Sequence, residues 1–102
     1  MNRNLKIRLS ENEIKAIKET AREIFGKNVK VYLFGSRTDI NKKGGDIDLL
    51  IEPDNTENIF EKKLKFLSRL KSRIGEQKID VIIANYDNKN IQKIAKKTGV
   101  LI

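Results

Sequence analysis

The sequence predicts a small α/β (α+β) sandwich, in which helices cover a small mixed sheet and the elements follow the order α-β-β-α-β-α. Three observations predict it. Segments with apolar residues at helical spacing alternate with short runs of branched and aromatic residues, and a glycine follows each helical segment. A chain of 102 residues has room for one core, so we expect residues 1–102 to form a single domain.

The first helix and the first strand have clear local signals. Residues 10–25 are predicted to be helical because Ser10 and Glu13 have the spacing of a capping box. Gly26 follows where a helix is expected to end. Residues 29–34 are branched or aromatic at most positions and predict a strand that is buried on both faces in its second half.

A loop, a second strand and a second helix follow. Residues 35–45 are predicted to be a loop, and residues 46–52 a strand. Asp54 is expected to be the N-cap of the next helix, with Glu57 in its first turn. The residues expected to face the core from this helix are Phe60, Leu64, Leu67, Leu70 and Ile74.

The rest of the chain predicts a third strand at 79–84 and a last helix at about 88–97. The apolar tail 100–102 is expected either to pack on the core or to contact a partner.

Composition limits the classes of function. The formal charge of +8 suits a protein that attracts nucleotides, nucleic acid or an acidic protein surface, but it equally suits a solvated lysine-rich surface. The basic residues are spread along the chain, which favours the second interpretation. Direct binding of nucleic acid is not expected, because no run of aromatic residues offers a stacking surface.

Cysteine and histidine are both absent, so a bound metal would need oxygen ligands, which favours Mg²⁺ or Mn²⁺ over zinc. The chain has no apolar run of signal-peptide or membrane-spanning length. We therefore expect a cytoplasmic protein without a membrane partner.

Asp46 and Asp48 are the most informative pair of residues. Alternate residues of a strand project to the same face, so the two carboxylates lie together while Ile47 and Leu49 point away. Like charges this close repel each other unless a cation lies between them. The pair therefore indicates a Mg²⁺ site, although a solvated or lysine-paired edge strand would explain it as well.

Asp80 and the segment Gly35-Ser36-Arg37 add to this interpretation. Asp80 interrupts an apolar strand, and it becomes a third ligand if that strand lies beside the Asp46–Asp48 strand; an ion pair at a strand edge is the alternative. Gly35 lets a phosphate approach the backbone, and the amides that follow, with the Ser36 hydroxyl and Arg37, can hold the phosphates of a nucleotide. An ordinary Gly-Ser turn is the alternative there.

Taken together, the segments FGSR at 34–37, GDIDLLI at 45–51 and IDVII at 79–83 resemble the minimal nucleotidyltransferases of the polymerase-beta-like superfamily. The resemblance covers nearly the whole chain and implies that superfamily's fold. It implies that Gly35, Ser36 and Arg37 bind the nucleotide. It also implies that Asp46, Asp48 and Asp80 are catalytic and hold two Mg²⁺ ions, or Mn²⁺ in their place. The loop between Ser36 and Asp46 is one residue shorter than is usual in that family.

Members of this size resemble the antitoxins of gene pairs in which the toxin is a HEPN ribonuclease. The resemblance implies a protein adenylyltransferase that transfers AMP from ATP, or from another nucleoside triphosphate, to a tyrosine of the toxin. It is compatible with homo-oligomers and with hetero-oligomers. Two other hypotheses stay open: a non-catalytic antitoxin or binding module that covers its partner, and a nucleotidyltransferase subunit associated with nucleic acid.

Overall fold

The computed structural model describes residues 9–34, 46–84 and 99–102, together with residues 86, 93 and 97. The elements in this part of the chain follow the predicted order, and a short strand is added at the end. Their bounds are α1 Glu11–Phe25, β1 Lys30–Phe34, β2 Ile47–Glu52, α2 Ile59–Ile74, β3 Ile79–Ile83 and β4 Val100–Leu101.

The capping box at the start of α1 is confirmed. The Glu13 amide donates to Ser10 Oγ over 3.0 Å, and the Ser10 amide donates to Glu13 Oε1 over 3.0 Å. Both amides would otherwise lack a partner within the helix, so the two bonds fix where the helix begins. At its other end Gly26 has a φ of +110°, which a residue with a side chain rarely adopts.

The four strands form one mixed sheet in the order β3-β2-β1-β4. β1 pairs antiparallel with β2 and with β4, and β2 pairs parallel with β3. The parallel pair is joined by α2, as a crossover between parallel strands requires.

The predicted start of the second helix is wrong. Asp54 is not its N-cap: the helix begins at Ile59, and its N-cap is Asn58, with a positive φ of +50° and no capping bond from its side chain. The reason is that the backbone amides of Asp54 and Glu57 make hydrogen bonds outside the helix. The Asp54 amide donates to the Phe25 carbonyl at the end of α1 over 3.2 Å, and the Glu57 amide donates to Asn55 Oδ1 over 3.0 Å.

The main core lies between the helices and one face of the sheet. Its largest fully buried members include Phe66 and Leu70 of α2, Ile17 of α1, and Leu33 and Leu49 of the sheet. The rings of Phe25 and Phe66 contact each other between the two helices, with centroids 5.4 Å apart. A second, smaller cluster lies on the opposite face of the sheet around Leu50 and Ala84.

Two residues expected to face the core do not. Phe60 and Leu64 of α2 are 60% and 51% exposed, while Leu70 is buried and Leu67 and Ile74 are partly buried. Ile59 and Phe66 lie nearer the centre of the buried side of the helix, which turns the Phe60–Leu64 row out to its flank.

The apolar tail 100–102 packs on the core, which was the first of the two alternatives predicted for it. Val100 and Leu101 pair with β1, the Ile102 amide donates to the Val31 carbonyl over 3.0 Å, and Val100 and Ile102 pack against the main core. Of the predicted helix at 88–97, Lys93 and Lys97 are described, and both are helical; its other residues lie outside the described part of the chain. Neither helix described in full is long and apolar enough to cross a membrane.

Candidate functional site

Parallel pairing brings Asp48 and Asp80 to the same level of the sheet. Asp48 of β2 is the register partner of Asp80 of β3. Directly paired residues of neighbouring strands project to the same face, so the two carboxylates lie side by side. Asp48 is half-buried and Asp80 is exposed, which leaves the pair open to solvent on one side.

Asp46 and Lys78 lie where β2 and β3 begin. The Ile47 amide donates to the Lys78 carbonyl over 3.0 Å, which joins the two strand starts. The Lys78 ammonium lies 3.7 Å from Asp46 Oδ2. Sequence reasoning missed Lys78; its position two residues before Asp80, and therefore on the same face of the strand, was the available signal.

The pKa of Asp48 is raised above its ordinary value of 3.8. Burial is the largest cause, because it penalises the charged form. The negative charges of Asp80 and Asp46 and a hydrogen bond with Asp80 raise the pKa further, and the charge of Lys78 opposes them. Negative charge is therefore concentrated around Asp48.

The second apolar cluster lies on the same face of the sheet as these carboxylates. Leu50 follows Asp48 by two residues, and Ile82 and Ala84 continue the Asp80 face of β3. Leu50 and Ala84 are buried, with Tyr32 and Ile82 packed against them. The carboxylates thus lie at one end of an apolar surface, at the start of β2.

The predicted phosphate-binding residues Gly35, Ser36 and Arg37 lie outside the described residues. Phe34, the residue before them, is the register partner of Asp48 in the antiparallel β1–β2 pair. The chain therefore leaves β1 directly opposite Asp48.

Comparison with family models shows a match to the model described as polymerase beta, nucleotidyltransferase, over residues 11–102. The chain belongs to the polymerase beta nucleotidyltransferase family. The four-stranded mixed sheet with two helices agrees with that family's fold. A search of curated proteins finds no significant match.

Membership in this family makes the protein a nucleotidyltransferase, so its general reaction is transfer of a nucleotidyl group and its substrate is a nucleoside triphosphate. The matched segment contains Asp46, Asp48 and Asp80.

The donor chemistry of these residues fits a hard divalent ion. Carboxylate oxygens are the side-chain ligands that Mg²⁺ prefers, and Mg²⁺ is commonly held by one or two carboxylates together with substrate phosphates. Within the described ranges, no three acidic residues are grouped closely enough to form a metal site on their own. The adjacent pair Asp48 and Asp80 suits the arrangement in which phosphates supply the remaining ligands.

Proposed function

We propose that this nucleotidyltransferase uses Mg²⁺ to transfer AMP from ATP to a hydroxyl group of a partner protein. The proposed acceptor is a tyrosine of a HEPN ribonuclease toxin, which the chain would silence as its antitoxin. The observation that carries the proposal is the placement of Asp48 beside Asp80, with the pKa of Asp48 raised by burial and by both neighbouring aspartates.

Concentrated negative charge of this kind favours a cation. An ionised carboxylate that is partly buried among like charges gains more from a divalent ion than an exposed carboxylate does. Asp46, Asp48 and Asp80 would hold Mg²⁺, or Mn²⁺ in its place. The bound ions would neutralise charge on the α-phosphate and on the departing pyrophosphate.

The chain's own residues would bind and orient the two reactants. Gly35 and Ser36, which follow the strand end opposite Asp48, would hold the triphosphate together with Arg37. Asp80 would accept the proton of the acceptor hydroxyl. The hydroxyl oxygen would then form a bond to the α-phosphorus while the bond from that phosphorus to the bridging oxygen breaks, and pyrophosphate leaves.

The partner is proposed from the resemblance of the three motifs to those of small antitoxins. The formal charge of +8 supports an acidic or phosphorylated binding partner without distinguishing among such partners. A tyrosine acceptor needs no additional group from this chain beyond a base, and exposed Asp80 is available for that role.

Intact-mass spectrometry tests the proposal. The chain is co-expressed with the product of its neighbouring gene, the proposed HEPN toxin, and the mass of that product is measured for added AMP units. We expect addition with the parent chain and at least a hundredfold loss with Asp48→Asn, about the loss typical when one group that stabilises the transition-state charge is removed. Addition should also stop when a chelator removes divalent ions.

Asp54→Asn is the matched control, because it makes the same chemical change just beyond the other end of β2. It should leave AMP addition unchanged. Addition that survives Asp48→Asn and the chelator would overturn the metal-dependent mechanism. Silencing of the toxin without any added mass would instead support the non-catalytic binding module.

A further inference from the structure

One flank of α2 carries an exposed apolar row. Phe60 and Leu64 are 60% and 51% exposed, and Leu67, on the same side of the helix, is partly buried against the main core. Residues at these spacings follow one another along a helix. We call Phe60, Leu64 and Leu67 the α2 stripe. Contiguous apolar surface of this kind marks interaction sites more often than isolated exposed residues do.

The α2 stripe faces away from α1. Arg73 of α2 donates to Glu23 of α1 over 3.0 Å, and Arg69 donates to the same carboxylate over 3.4 Å. Phe60 precedes Arg69 by nine residues, and Leu64 precedes Arg73 by nine residues. Nine residues are about two and a half helical turns. Phe60 and Leu64 therefore lie on the opposite side of α2 from the two arginines that contact α1.

The exposed flank of α2 lies at the β3 edge of the sheet. Lys18 and Arg22 of α1 border the same groove as Val31 and Leu101, so α1 lies on the β1 and β4 side. α2 connects β2 to β3, and β3 is the last strand of the described sheet on that side. Asp80 lies on the other face of β3 from the helices. A molecule bound to the α2 stripe therefore leaves the carboxylates accessible.

The charge around the stripe indicates what can bind there. α2 has one acidic residue, Glu61, and six basic ones, but Arg69 and Arg73 lie on the opposite side of the helix with Glu23. The charged residues that border the stripe by their helical positions are Lys63, Lys71 and Glu61. A second copy of this chain would bring the same basic helix and the same net charge of +8 against it. Like charges opposed across an interface disfavour association.

We propose that the α2 stripe is a docking site for an amphipathic helix of a different protein, whose apolar anchors are bordered by aspartate and glutamate. Phe60 and Leu64 supply the buried contacts, and Lys71 together with the net charge of +8 favours the acidic borders. The proposal is independent of the proposed acceptor and of catalysis, because it concerns a surface on the helix-covered side of the sheet.

A displayed peptide library tests this proposal. The library consists of amphipathic helices of about four turns, the length of α2, with leucine anchors and with border positions varied among glutamate, glutamine and lysine. It is selected against the parent chain and counter-selected against the Phe60→Ala/Leu64→Ala variant. We expect enrichment of glutamate borders, and at least about tenfold weaker binding of the enriched peptides to the variant.

Leu101→Ala is the control variant, since it removes a side chain that is 57% exposed on another part of the surface. It should leave peptide binding unchanged, and circular dichroism should show that all variants are folded. Glutamine or lysine borders enriched as often as glutamate would overturn the proposal, as would peptides that do not distinguish the parent from the double variant. Dimerisation of the parent chain that is lost in the double variant would also overturn it, in favour of a second copy as the occupant.

Discussion

At the scale of single residues, the Asp48 carboxylate is the group, among the residues that the structure describes, whose ionisation the fold opposes most clearly. Its pKa is raised from 3.8 by burial, by Asp80 and by Asp46. The folded state therefore holds a proton on Asp48 more tightly than the unfolded state does. Below pH 3.8 both states are protonated, so the free energy of unfolding carries no penalty from this group. As the pH rises from 3.8 to the raised pKa the penalty develops, because only the unfolded state loses its proton there, and above the raised pKa the penalty stays constant.

Asp48→Asn is accordingly expected to stabilise the metal-free protein at neutral pH by up to about 1 kcal/mol, the upper range for a solvent-screened like-charge pair on neighbouring strands, because it removes the charge and keeps the shape. Urea unfolding in the presence of a chelator measures this at pH 7 and again near pH 3. The difference between the variant and the parent should disappear at the lower pH. A variant that is less stable than the parent at pH 7 would show that Asp48 is held by interactions that outweigh the repulsion.

At Gly26 the backbone conformation alone requires glycine. Its φ of +110° disfavours any side chain, and a Cβ at this position would overlap the Asp54 carboxylate. Gly75 at the end of α2 has a similar φ of +95°, but a Cβ there meets nothing within 4 Å. The two glycines therefore separate backbone strain from steric overlap.

We expect Gly75→Ala to reduce the free energy of unfolding by about 1–2 kcal/mol, from backbone strain alone. Gly26→Ala should reduce it by clearly more, because Asp54 must also move. Chemical denaturation of both variants gives the comparison. Equal losses would mean that Asp54 rearranges without cost.

At the scale of elements, the two helices begin in different ways. The side chain of Ser10 caps α1, whereas Asn58 makes no capping bond at the start of α2.

Ser10→Ala should therefore reduce the free energy of unfolding by about 1 kcal/mol. Asn58→Gly should cost little or nothing, because glycine adopts the positive φ of 50° more easily than asparagine does. Thermal unfolding of the two variants measures both effects. A larger loss from Asn58→Gly would show that the Asn58 side chain has a role beyond capping.

The same contrast explains which elements the sequence could predict. α1 was predicted because its capping box lies within four residues. The start of α2 was not, because the Asp54 amide bonds to Phe25, far away in the chain. Helical spacing identifies a row of apolar residues without showing which side of that row faces the sheet, so the sequence predicts Phe60 in the core although the residue is exposed.

Prediction of the candidate site had the same limits. The adjacency of Asp48 and Asp80 could be anticipated, since strands joined by a helix pair in parallel and the two aspartates lie near the starts of their strands. The contact between Lys78 and Asp46 follows from the same register, since each lies two residues before one of the paired aspartates, but a single lysine before a strand belongs to no motif that would single it out. The two-residue strand β4 is too short to have a periodic signal of its own.

At the scale of the whole molecule, the two faces of the sheet have different roles. One face packs against α1 and α2 in the main core, and the other carries the carboxylates and the smaller cluster around Leu50. Leu49 and Leu50 are neighbours in β2, both fully buried, and they project to opposite faces. Substituting either one tests one face while the strand stays the same.

Leu49→Val and Leu50→Val each remove one methylene from a buried position, so each should reduce the free energy of unfolding by about 1 kcal/mol.

The effects of these two substitutions on the rate of nucleotidyl transfer should differ. Leu50 lies two residues from Asp48 on the same face, so the cavity left by Leu50→Val lets the carboxylates shift and should lower the rate of nucleotidyl transfer several-fold. Leu49 packs on the helix side, and Leu49→Val should leave that rate within about twofold of the parent rate at a temperature where both variants are folded. Urea denaturation together with a nucleotidyl-transfer assay on the same preparations measures both properties. If the two variants lose transfer activity equally, the site depends on the stability of the whole sheet rather than on the face that carries it.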